Sequence, residues 1–243
     1  MEHEIWFTAI LNKILGTPVA ALLGMFGIQA DPAHAIPNYI AMELLAILGL
    51  ITLALVVRSK LSVEEPGALQ QTMEVAVEFM QGMAKEIIGH GSDRYVPMLA
   101  TLGLLILTCN LLGLVPTLDT PTSHIPVTLG CATAVFIYYN LQGIRHHGLL
   151  GYLKHFAGPV WWLALLIFPV EIISNVFRML SLSVRLYANM FVGGLLESVF
   201  TSLIPIAVPS LVMGLHVFVS FIQAYIFMLL PAVYISIATA EEH

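Results

Sequence analysis

Three ionisable side chains sit in a stretch that is otherwise apolar enough for lipid. Residues 171–190, EIISNVFRMLSLSVRLYANM, place Glu171, Arg178 and Arg185 at seven-residue steps. A helix turns about 100° per residue, so each step drifts only ~20° and the three charges share one face. Ser174, Asn175, Ser181 and Asn189 fall along the same face, and Ile172, Ile173, Val176, Phe177, Met179, Leu180 and Leu186 take the opposite one. An ionised group at mid-membrane costs about 3 kcal/mol or more, so such a stripe must line water or meet a partner. Inert packing could use Ser and Asn without arginine, which marks the stripe as functional. A second stripe, His216, Ser220 and Gln223, runs at steps of four and three along the last apolar segment. A lone His in an apolar helix is usually a satisfied packing residue; three polar residues facing another polar stripe read as part of a site.

Other residue types with chemical potential read as structural. Cys109 and Cys131 lie inside apolar runs with no CxxC spacing and no His nearby, so they are small packing residues and not a disulfide or metal pair. His146, His147 and His155 fall in one basic segment, RHHGLLGYLKHFAG (145–158). Membrane enzymes that bind metal through His boxes need several such clusters, so this is read as a solvated loop, with no metal and no cofactor.

The elements that position the stripes follow from composition. Of 243 residues, 58% are hydrophobic and only 10% charged, with a mean hydropathy of +0.90. Soluble domains carry about 25% charged residues, so this is an all-α integral membrane protein. The net charge of −6 comes with no basic tract, which argues against nucleic acid.

In chain order, the amino-terminal segment 1–30 has Trp6, Phe7, Ile10, Leu11, Ile14 and Leu15 at helical spacing and suits an interfacial amphipathic helix. A signal peptide is the rival reading, since Ala33-His34-Ala35 resembles a cleavage site, but Glu2 and Glu4 stand where positive charge belongs. Residues 36–57 form a first span, stopped by Arg58 and Lys60, with Glu43 near its outer end. Residues 66–90 follow a capping-box pattern from Ser62 to Glu65, place Pro66 in a first helical turn, and present Leu69, Met73, Val77, Met80, Ala84 and Ile87 on one face. With Glu and Gln opposite, this helix is too polar to span and is expected along the membrane surface. Further spans are expected over 96–115 and 126–144, joined by a turn carrying Asp119 and His124 towards water.

From 160 to 204 no polar turn interrupts the apolar run. About 45 helical residues reach ~67 Å against a hydrocarbon core of ~30 Å, so one helix fits only at a tilt of roughly 60°. Two short spans broken at Gly193-Gly194 are the alternative. Pro205 and Pro209 then predict a turn, and 210–238 a last long helix. Arg58, Lys60, Lys85, Arg94, Arg145 and Lys154 fall on one side of this arrangement and only Lys13 on the other. The positive-inside rule therefore puts the amino terminus outside and the carboxyl terminus in the cytoplasm.

SLSVRLYANM, with NLLGLVP upstream and LHVFVSFIQAYIFMLLPAVYIS near the end, resembles subunit a of the F-type ATP synthase membrane sector. The order of elements is similar from about residue 36 onward. The resemblance implies about three ordinary transmembrane helices, one surface amphipathic helix, and two long tilted helices forming a hairpin against a rotating c-subunit ring. It implies no enzyme activity of the chain alone. Its partners would be the c-ring, the b-subunit peripheral stalk and the remaining ATP synthase subunits, in membrane lipid, at a bacterial plasma (inner) membrane.

The resemblance also implies roles for residues. Arg185 matches the family's essential arginine, the barrier between two offset aqueous half-channels. Asn189 and Gln223 match polar positions beside it; Glu171, with Ser174 and Asn175, belongs to the cytoplasmic outlet; His216 and Ser220 lie on the inlet face. His216 favours H⁺ over Na⁺ as the ion. One departure stands out: nine residues after the arginine the family places an acid or His, and here the residue is Gly194. Glu197 is expected to substitute, pairing with His216, and lies ~120° round the helix from Arg185. Arg178 is expected to pair with Glu171. The competing class is an ion-coupled secondary transporter, which predicts an internal repeat that the arginine stripe does not have. A haem cytochrome would need paired His residues in spans, and only His216 qualifies.

Overall fold

The computed structural model describes residues 5–25, 27, 31–62, 66–115, 118–157, 164–203 and 207–239. Among them the chain forms seven α-helices and no strand: α1 Trp6–Met25, α2 Asn38–Ser59, α3 Ala68–Ile88, α4 Val96–Leu112, α5 Ile125–Ala157, α6 Ala164–Leu203 and α7 Ala207–Thr239. Short 3-10 turns at Ser92–Arg94 and Pro121–Ser123 introduce α4 and α5. Five helices are long and apolar enough to cross a membrane: α1, α2, α5 as far as Gly148, α6 and α7. The apolar α4 has 17 residues, ~25 Å of helix, slightly less than a hydrocarbon core.

Helix α7 is the centre of the molecule. It packs on α3, α4, α5 and α6, and Ala224, Phe227, Met228, Ala232, Ile235 and Ala238 are buried in the main core. Helix α6 lies on the outside, against α5 and α7, and buries only a narrow strip that includes Leu182, Leu186 and Met190. Its 40 residues amount to ~60 Å and match the core thickness only when tilted by roughly 60°. Helix α6 runs without interruption through Gly193 and Gly194, so the reading of two short spans is set aside. Glycine weakens a helix interior by about 1 kcal/mol, too little to break one held by its neighbours.

Lipid is as apolar as leucine, so helix pairing here rests on close fit and on buried polar pairs. Thr128 Oγ1 of α5 meets Ser183 Oγ of α6 at 3.1 Å, both residues buried. Tyr139 of α5 donates its hydroxyl to Asn175 Oδ1 of α6. Such pairs contribute about 0.6 kcal/mol each on average inside a membrane.

Elsewhere the helices depart from the pattern in the sequence. The segment after 144 is not a loop: α5 continues to Ala157 across a kink at Gly148, whose φ of 71° and ψ of 163° suit glycine alone. Beyond the kink the chain folds back, and the buried Tyr152 donates its hydroxyl to Asn140 Oδ1 at 2.8 Å. Helix α3 begins at Ala68 with Gly67 as its cap and no side-chain capping bond, so Pro66 precedes the helix instead of opening it. Residues 63–65 of the capping-box pattern lie outside the described residues. Gln70 does the tying, accepting from Ser62 N–H at 3.0 Å and donating to Ser62 O at 3.0 Å. Only the second half of the α3 apolar face is covered, at Met80, Met83 and Ala84; Leu69 and Val77 remain exposed.

The turn expected at Pro205 and Pro209 is also shorter than its two prolines suggest. Pro209 belongs to the first turn of α7, where a missing N–H costs nothing, and Pro205 lies outside the described residues. The amino-terminal segment is helical over Trp6–Met25, with Thr8, Asn12 and Gly16 buried against the chain. Asn12 there accepts from Ile36 N–H at 2.9 Å and donates to Ile36 O at 3.1 Å, anchoring α1 to the start of α2.

Candidate functional site

The polar stripe of α6 lies at the rim of its buried strip, and the fold divides its members. Asn175 turns inward and is buried. It receives Tyr139 Oη–H, and its own Nδ2 donates to Asn140 Oδ1 at 2.9 Å. Asn140 Oδ1 thus accepts from both Asn175 and Tyr152, and Asn140 Nδ2 donates to Phe136 O at 2.7 Å. Tyr139, Asn140 and Tyr152 were not singled out from sequence; a polar Tyr-Tyr-Asn run inside an apolar span was the available signal.

Glu171 and Arg178 form an ion pair at 3.4 Å, one N–H of the guanidinium reaching Oε1. Arg178 also lies over the ring of Tyr234 from α7, 5.8 Å from its centroid. An arginine so placed has its charge countered on one side by a carboxylate and on the other by an aromatic face. Ser174 is half-buried beside this group.

Arg185, seven residues on along the same stripe, is more open. It is exposed on the outer face of α6, among Phe177, Val184, Phe191 and Val192, which are exposed too. Among the described residues no hydrogen bond or ion pair reaches it. A permanent cation on an apolar outer face, two helical turns from a paired arginine on the same helix, is electrostatically incomplete. Asn189, one turn further on, is half-buried. The face described from sequence as apolar is not uniform: Leu186 is fully buried while Ile173 and Phe177 are exposed.

Behind α6, the second stripe is buried as a unit, with His216, Ser220 and Gln223 all on the inward face of α7. Ser220 donates to the carbonyl of His216 at 2.8 Å. His216 Nε2 and Gln223 Oε1 are buried with no hydrogen-bond partner among the described residues, so both have unused hydrogen-bonding capacity there. The His216 ring packs over Gly193: a Cβ on that residue would come within 2.9 Å of Nδ1. Close approach here depends on glycine.

Glu197 is half-buried and lines a cavity of about 500 Å³ between the second half of α6 and the α4–α5 connection. Gly194, Ser198 and Thr201 of α6 share the wall, with Asp119, Thr120 and Ser123 opposite. No hydrogen bond joins Glu197 to His216 among the described residues, although the carboxylate lies within electrostatic range of the imidazole. Arg185 and Gln223 are likewise not bonded to each other. The structure therefore groups the candidates in three places: Glu171, Asn175 and Arg178 near the start of α6; Arg185 alone on its outer face; Glu197 and the His216 stripe towards the far end.

Comparison with known proteins gives a single answer. The family model described as ATP synthase A chain matches residues 40–236. ATP synthase subunit a of Koribacter versatilis (strain Ellin345) is 45% identical over 244 residues, covering 100% of both chains. Its counterpart from Solibacter usitatus (strain Ellin6076) is 44% identical over 234 residues, 96% of this chain and 100% of the relative. That from Geobacter sulfurreducens (strain ATCC 51573 / DSM 12127 / PCA) is 41% identical over 246 residues, with both chains fully covered. Taken with helices fit to cross a membrane several times, these matches place a multi-pass integral membrane protein in the ATP synthase A chain family, to which this chain belongs.

Proposed function

We propose that the chain is the ion-translocating stator subunit of a rotary F-type ATP synthase, working against a ring of c subunits with a b-subunit peripheral stalk and the remaining subunits. The observation that carries this reading is Arg185: a guanidinium with no hydrogen bond or ion pair among the described residues, exposed on the outer face of a long tilted helix. Its missing counter-charge is a carboxylate presented by the ring. A guanidinium does not deprotonate at accessible pH, so it attracts each ring carboxylate without passing a proton on. It thereby separates two offset half-channels.

The inlet lies along Glu197 and the His216, Ser220 and Gln223 face, with Asn189 beside the arginine. The outlet lies by Glu171, Ser174 and Asn175. In that outlet the ion pair with Arg178 holds Glu171, while Asn175, bound to Tyr139 and Asn140, acts as part of the wall. Protons are the ion in preference to Na⁺, for which the buried His216 argues. One charge crossing 100 mV supplies ~2.3 kcal/mol, so several must pass for each ATP made. The membrane is the bacterial plasma (inner) membrane, with the amino terminus outside and the carboxyl terminus in the cytoplasm.

Replacing Arg185 by Ala in the assembled enzyme tests the proposal. ATP-driven proton pumping is expected to be lost, and passive leak through the membrane sector to rise. Pumping that survived without leak would remove Arg185 from the centre of the mechanism.

A further inference from the structure

The cavity beside Glu197 has a second carboxylate, brought there from 78 residues away in sequence. Asp119 lies in the connection between α4 and α5 and lines the same space, together with Thr120, Ser123, Ser198 and Thr201. None of the lining residues is basic. A space of about 500 Å³ has ample room for water, and hydroxyls and carboxylates on both walls supply the polar partners that water needs. Gly194 leaves the α6 wall open: a Cβ there would meet nothing within 4 Å.

Asp119 is held in place. Its Oδ2 is 2.9 Å from Nε2 of His124, and the His124 ring stacks on Tyr39 of α2, centroids 4.6 Å apart at 24°. Both members of the pair are about one-third exposed, at 31% for Asp119 and 28% for His124. The carboxylate therefore touches outside water and cavity at once. The groups facing it are His124 from its own connection, Tyr39 of α2 through that ring, and Glu197 of α6 across the cavity. Glu43, one turn further along α2 from Tyr39, lies within electrostatic range of Cys109 and Cys131.

We propose that Asp119 is the outer proton acceptor of the inlet half-channel, oriented by His124 and joined to Glu197 by water in the shared cavity. This rests on the rotary reading above. The Asp119 carboxylate takes a proton from external water and becomes a carboxylic acid. It releases that proton to cavity water, which passes one to the Glu197 carboxylate, and Asp119 returns to its ionised form. No bond other than O–H is made or broken, and no co-reactant is required. His124 is a positioning residue: it sets the direction of the carboxylate and does not carry the transferred proton.

The test is passive proton flux through the membrane sector in vesicles holding the whole complex, after the ATP-hydrolysing sector has been stripped, as a function of outer pH. Asp119→Asn is expected to lower flux on the order of tenfold, less than the 10²–10⁴ of a group in a closed active site because water offers a parallel path. The loss should be deepest at alkaline outer pH, where free protons are scarce. Asp119→Glu should restore most of the flux, and His124→Ala should displace the pH profile. Flux like that of the parent at every pH, with normal amounts of the subunit in the membrane, would overturn the proposal. Equal loss in Asp119→Asn and Asp119→Glu, with an unchanged pH profile, would also overturn it by reducing Asp119 to a structural part. Arg185→Ala vesicles, assayed for ATP-driven pumping before stripping and for leak after it, separate the two levels. If they leak as expected while Asp119→Asn conducts normally, only this inference fails; if they pump without leak, the rotary reading fails.

Discussion

At the scale of single residues, α6 carries two arginines with opposite circumstances. Arg178 is satisfied within the chain by Glu171 and the face of Tyr234, whereas no hydrogen bond or ion pair reaches Arg185 among the described residues. The Arg178–Glu171 pair was expected from sequence and is present, whereas the contact with Tyr234 was not legible, because seven-residue spacing puts both arginines on one face and says nothing of which neighbours that face meets. The same holds for Glu197. Sequence placed it off the ring-facing stripe and near His216; the structure supplies the cavity it lines and leaves the two unbonded. Glu197→Gln removes the titrating oxygen but keeps size and hydrogen bonding. It is expected to lower proton-driven ATP synthesis by on the order of tenfold or more, given what a positioned proton carrier contributes, measured in energised membrane vesicles. Synthesis at the parental rate would take Glu197 out of the path.

At the scale of elements, α5 holds together the side proposed as the outlet. Its kink at Gly148 turns the last part of the helix back, so that Tyr152 reaches Asn140, which in turn holds Asn175 of α6. The sequence of this stretch, rich in Gly, His and basic residues, reads as a loop. It is helical because tertiary bonds from Tyr152 outweigh a weak local preference, and only a backbone conformation at one glycine makes the reversal possible. Replacing Gly148 by Ala forces a residue with a Cβ into φ 71°, ψ 163°, at a cost of about 1–3 kcal/mol. The expected result is a lower midpoint for heat-induced loss of this subunit from the solubilised complex, and an unaltered midpoint would show that the kink is dispensable. The α6 helix teaches the converse. Its length through Gly193-Gly194 left two readings, and packing against α5 and α7 decides for one helix.

At the scale of the whole molecule, α7 is central and α6 peripheral, which leaves one long face of α6 for a partner outside the chain. The proposed orientation in the membrane rests on charge: Arg58 and Lys60 lie at and just past the end of α2, Lys85 and Arg94 late in α3 and just after it, and Arg145 and Lys154 in the later part of α5. In a background with Cys109 and Cys131 replaced by Ser, Ala33→Cys is expected to react with a membrane-impermeant thiol reagent applied to intact cells, and Lys60→Cys only in inverted vesicles. The reverse pattern would invert the topology and exchange inlet with outlet.

Sequence alone determined the membrane class, the helical stripes and the family resemblance, which singles out Arg185. The first two rest on composition and on the 100° periodicity of a helix, and the resemblance on motifs such as SLSVRLYANM, all of them local properties of the chain. Only the tertiary structure decided which stripe residues are spent on holding helices together, which carboxylates share a cavity, and why Gly193 lies under His216. Those outcomes depend on the rotation of each helix against its neighbours and on contacts between residues far apart in the chain. Asp119 and Glu197 lie on different elements, so no spacing rule could have brought them together.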